Sequence, residues 1–109
     1  MGQKTHTLKI LPEYFAAVLS GDKKAEFRFN DRKFSVGDLL VLQEWSGGPS
    51  IPYTGREIEV LVTHVLELNH LIAPGFLDAR SFVMLSIVLP VGYKDESGKM
   101  TPMFQDGAQ

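Results

Sequence analysis

Between Gly21 and Arg28 the chain reads Gly-Asp-Lys-Lys-Ala-Glu-Phe-Arg, and here charged residues stand at spacings that could do chemistry. Lys24 to Phe29 alternates charged and apolar residues, which predicts a strand with Lys24, Glu26 and Arg28 on one face. Same-face neighbours in a strand lie roughly 7 Å apart, so the ends of Glu26 and Arg28 can meet or share a bound group. A carboxylate between two cations can aim Lys23 and Arg28 at a phosphate or a base edge. Spacing alone favours a solvated strand face, where exposed ion pairs contribute little. The alternation assigns Phe27 and Phe29 to the core and leaves Glu26 and Arg28 facing a cavity or solvent, since the opposite register buries charge.

Other residues could extend such a site. Lys24 and Arg32 would add to a positive rim, although Asn30, Asp31 and Arg32 also read as turn residues. Trp45, Tyr53 and Tyr93 could stack on bases, although each taken singly reads first as barrel packing or a loop anchor. Trp45 is the strongest of the three, because it leaves a strand straight into the Gly-Pro loop. His6, His64 and His70 show no H-x-x-x-H spacing and there is no cysteine, so no metal site is expected. His64 falls on an apolar strand face and reads as a hydrogen-bonded core histidine. Gly47-Gly48 lacks the strand–GxxxxGK–helix context of a phosphate loop.

The elements that must position these residues follow from period and punctuation. Thr5 to Ile10 alternates as a strand, and Pro12 suits the first turn of a helix. Leu11, Phe15, Val18 and Leu19 form its apolar stripe, and Gly21 stands where a left-handed cap belongs. After the charged strand come a turn at Asn30-Asp31, a strand Leu39 to Trp45, and the loop Ser46 to Pro52. Arg56 to Leu66 is the longest predicted strand, with Ile58, Val60, Val62 and His64 on one face. Asn69 to Ser81 reads as irregular or a short helix, and the apolar run Phe82 to Leu89 as a strand covered on both sides. Strands after a single early helix predict an α+β fold with a curled or closed sheet. The expected division is one domain over 1–90 and a polar tail over 91–109, disordered or a weak hairpin about Ser97-Gly98.

Composition narrows the function. A chain of 109 residues makes one modest core. With a net charge of −2, no broad basic face can track duplexes, so a nucleic-acid ligand would be a short single strand or one nucleotide. The lack of cysteine, of a signal-peptide layout and of a long apolar run leads us to expect a cytoplasmic protein without membrane contact.

The stretch Gly21, Lys23, Glu26, Arg28 resembles the G-x-K-x-x-E-x-R signature of the ASCH domain family, and it follows a short helix as in that family. The wider run Leu8 to Phe15, with Val18 to Gly21, Asn30 to Arg32, Val36 to Asp38 and Tyr53 to Ile58, is similar to a small bacterial and phage group of ASCH-like domains of unknown function. The resemblance covers Thr5 to Leu89. It implies a PUA-like β-barrel with one short helix after the first strand, and a cleft formed by Lys23, Glu26 and Arg28. It also implies binding of RNA or a modified nucleotide, without cofactor or metal. Some ASCH-like proteins are amidohydrolases of acylated cytidine, in which Lys23 and Glu26 would be the reacting pair. In those enzymes a threonine stands where this chain has Glu26, and the only acid available in the later segment is Asp78. A lysine held against a glutamate is an ammonium ion and a poor nucleophile, so a non-enzymatic binding module is the favoured reading. A phage or bacterial protein-interaction domain is the third alternative.

Overall fold

A computed structural model describes residues 2–29, 31–50, 52–68, 82–88 and 92–102. Strand β1 (Thr5–Ile10) turns inward at His6, Leu8 and Ile10. Leu11 is extended before Pro12, as the ring of a following proline requires, and helix α1 (Pro12–Ser20) begins there. Gly21 ends the helix at φ 89°, where a side chain would be strained, and its N–H bonds to the Val18 carbonyl. Phe15 and Val18 are buried and Leu19 packs against the core, whereas Leu11, expected in the same stripe, is exposed.

Strands β2 (Ala25–Phe29), β3 (Leu39–Trp45), β4 (Tyr53–Glu67), β5 (Phe82–Ile87), β6 (Gly92–Lys94) and β7 (Met100–Pro102) complete the chain order. The main sheet runs β1-β3-β4-β5-β2. Among the described strands only β1 and β3 pair in parallel. The hairpin β6–β7 adds to β4 and carries the sheet past residue 90, and Tyr93 packs on the core. The sheet curls around its buried face, lined by Leu40, Leu42, Ile58, Val60, Val83 and Leu85. It does not close into a barrel: β1 and β2 stand at its two ends.

Three expectations are corrected. On β2 the faces are exchanged: Glu26 is buried at 5% exposure, while Phe27 and Phe29 are 51% and 58% exposed. Buried charge here is matched by opposite charge in the cleft, and the rings find partners on the outer face instead of in the core. On β4, Ile58, Val60 and Val62 do face inward, but the pairing with β5 shifts between Val62 and His64. The extra residue rephases the strand, so His64 is exposed and Val65 packs on the core. On β5 burial alternates, with Val83, Leu85 and Ile87 inward and the opposite face half-exposed, so the strand is not covered on both sides. The expectations for Asn30, His70, Asp78 and Leu89 lie outside the described residues.

Candidate functional site

The end of α1 and the start of β2 hold the charged residues in place. Beyond Gly21 the Lys23 N–H returns to the Ala17 carbonyl, which fixes the turn and sends the Lys23 side chain toward β2. Lys23 Nζ donates to the Ala25 carbonyl and lies 3.1 Å from Glu26 Oε1. Arg28 Nε donates to Glu26 Oε2 at 2.7 Å. The glutamate thus sits between two cations, each 24% exposed at its side chain. Arg28 Nη2 also donates to the Lys9 carbonyl of β1.

Around this triad lies a cleft of about 250 Å³, lined by Lys9, Leu11, Tyr14, Lys23, Glu26 and Arg28, with Ile10 behind. Lys23 and Arg28 meet the carboxylate, and Lys9 beside them brings the lining to a net of two positive charges within an acidic protein. Such a cleft is suited to an anion, and a guanidinium has five N–H donors, more than Glu26 and one carbonyl take up. Sequence spacing brought out Lys23, Glu26 and Arg28 but missed Lys9 and Tyr14. Their signal was weak: a lysine on the outward side of β1, and a tyrosine in the first helical turn, both brought round by the β1–α1–β2 connection.

The expected rim is dispersed. Lys24 turns back to the Gly21 carbonyl and lines no part of the cleft. Trp45 and Tyr53 are register partners where β3 ends and β4 begins, and neither lines the cleft. Trp45 meets the site through Lys9, whose ammonium lies 4.4 Å from its ring centroid. Arg32 borders a second hollow and donates to the Thr7 carbonyl at 2.7 Å.

Two buried polar clusters elsewhere hold the frame. His6 Nε2 donates to Asp38 Oδ2 at 2.8 Å, and Asp38 also accepts from the Ser35 and Lys4 amides. Burial raises the Asp38 carboxyl, but these hydrogen bonds outweigh it and hold the group below the usual aspartate value. Glu44 accepts two hydrogen bonds from Arg56 and one from Thr54. The Arg56 bonds hold Glu44 below the usual glutamate value against the effect of burial. Arg56, raised in turn by Glu44 and then by Tyr93, lies over the Phe15 ring at 4.8 Å. Among the described residues no group of three or more His, Cys, Asp or Glu side chains could hold a metal ion, and no helix is long and apolar enough to cross a membrane.

A curled, open sheet with one short helix among the described residues defines the class: this is the fold of ASCH domains. Two crystal structures of mutant ZmASCH proteins from Zymomonas mobilis match it with TM-scores of 0.55 and 0.53. Each covers 94% of this chain, which spans 90% and 92% of theirs, at 11% identity. The chain itself belongs to the family described as "Domain of unknown function (DUF3850)", whose model matches residues 5–87. It is also similar to an "Uncharacterized 12.9 kDa protein in GpA 3'region" of Escherichia phage P2, 38% identical over 94 residues, 86% of this chain and 81% of that protein.

Proposed function

We propose that the cleft between α1 and β2 binds RNA, as a short single strand, or a nucleotide, without turnover. The observation that carries this reading is the convergence of Lys9, Lys23 and Arg28 on one small hollow around a buried carboxylate. Lys23 and Arg28 hold a phosphate or a base edge. Glu26 orients both and accepts from a base amino group. The PUA-like fold, with its helix beside an open sheet, is in keeping with this role. Lys23 is engaged by Glu26 and the Ala25 carbonyl, an arrangement suited to a fixed cation and not to a free amine nucleophile.

The test is titration of short single-stranded RNAs and nucleotides into wild type, Lys23→Ala and Arg28→Ala at two salt concentrations, with thermal melts as the folding control. Each substitution should weaken binding about ten- to hundredfold, the worth of a charge-assisted hydrogen bond. The salt slope should correspond to about one to three phosphates, because only a local pocket is engaged. Equal affinity for all three proteins would remove the role from this cleft.

A further inference from the structure

We infer that the outer face of β2 carries a stacking platform for a second nucleobase, so that the ligand is a single strand of at least two nucleotides. This rests on the reading of the charged cleft as a nucleotide site.

Phe27 and Phe29 lie on the face opposite Glu26 and leave about half their surface in water. Both stack on Phe82 of β5, with ring centroids 5.1 Å and 4.7 Å away and planes within 6° and 18° of parallel. Three aromatic rings held parallel at the surface form an ordered ridge, not scattered apolar exposure. The rings border a hollow of about 330 Å³ that Arg28 and Arg32 also line. Arg28 belongs to both hollows, so the charged cleft and the aromatic ridge are continuous across one side chain.

That pairing of chemistries selects the occupant. An apolar protein surface would cover the rings but offer no acceptor to the guanidinium N–H groups that Glu26, Asp31 and two carbonyls leave over. A single strand offers a π-face to the rings and phosphates to the arginines, and stacking tolerates any base. Asp31, 3.8 Å from Arg32, is largely exposed and lies in the same hollow, so the arginine next to it has water and the ligand to choose between.

The experiment measures binding of a mononucleotide and of a tetraribonucleotide carrying 2-aminopurine to wild type, Phe27→Leu, Phe29→Leu, the double variant and Lys23→Ala. Leucine keeps an apolar strand residue and removes the aromatic face, and melting temperatures check the fold. The tetranucleotide should bind more tightly than the mononucleotide, with quenching of 2-aminopurine. The double variant should lose roughly five- to a hundredfold for the tetranucleotide, with the quenching, and keep its mononucleotide affinity. If the phenylalanine variants bind like wild type while Lys23→Ala weakens both ligands, the platform is overturned and the cleft stands. If Lys23→Ala changes nothing but the double variant loses the tetranucleotide, the platform stands and the cleft reading falls. Sedimentation supplies a further outcome: a wild-type dimer that dissociates in the double variant, with RNA affinity unchanged, would make the ridge a contact between two copies and overturn the proposal.

Discussion

Glu26 is the residue on which the cleft turns, since it is nearly buried and meets a cation at each carboxylate oxygen. Glu26→Gln keeps the shape and removes the charge. If the group only orients its neighbours, phosphate affinity should hold or rise; if it accepts a base amino proton, discrimination among bases should fall, which a panel of four homopolymers would measure. Asp38 and Glu44 carry a different consequence. Both carboxyls are held below their ordinary values in the folded state. The stabilisation this represents is complete above the unfolded values, near about pH 4, and is lost as pH falls through the lower folded ones. The melting temperature should therefore be level from neutral pH to about pH 5 and drop below about pH 4. Glu44→Gln should shrink that acid limb while lowering stability at neutral pH, because Arg56 is left half-buried opposite a neutral amide.

At the scale of elements, α1 is a plug with little stability of its own, being nine residues long. Phe15 is fully buried and packs against Arg56 and Tyr93. Phe15→Ala should cost about 3–5 kcal/mol, a large share of a small domain's stability, and a denaturant melt would show it. The helix, its proline start and its glycine stop were legible because each depends on a few adjacent residues. The alternation of β2 was equally legible, but alternation defines two faces without saying which one meets the core. Burial of Glu26 depends on Lys23 and Arg28 closing over it, and exposure of Phe27 and Phe29 depends on Phe82, which is far away in sequence. The His6–Asp38 contact joins residues 32 apart, and Glu44 meets Arg56 across a loop. Pairings of that kind arise from register, which a bulge such as the one after Val62 can shift by one residue.

For the whole molecule, what matters is that the sheet has two ends and that they face each other across the cleft. Backbone ladders hold β1 to β3 and β2 to β5. Between β1 and the segment formed by β2 and the turn after it, the described hydrogen bonds are of another kind: Arg28 reaches the Lys9 carbonyl and Arg32 the Thr7 carbonyl. Two described side-chain clasps thus span this gap, and one of them is Arg28, the residue we propose binds the ligand. On that proposal, a phosphate that shifts Arg28 toward itself loosens its hold on the Lys9 carbonyl, so occupancy and the β1 contact draw on one guanidinium. Affinity then records the difference between the two claims. Arg28→Ala should leave the β3–β4 ladder protected in amide exchange and speed exchange along β1 and β2, and a bound strand should reproduce part of that pattern in wild type. A protein built this way would report its ligand by loosening one edge of itself.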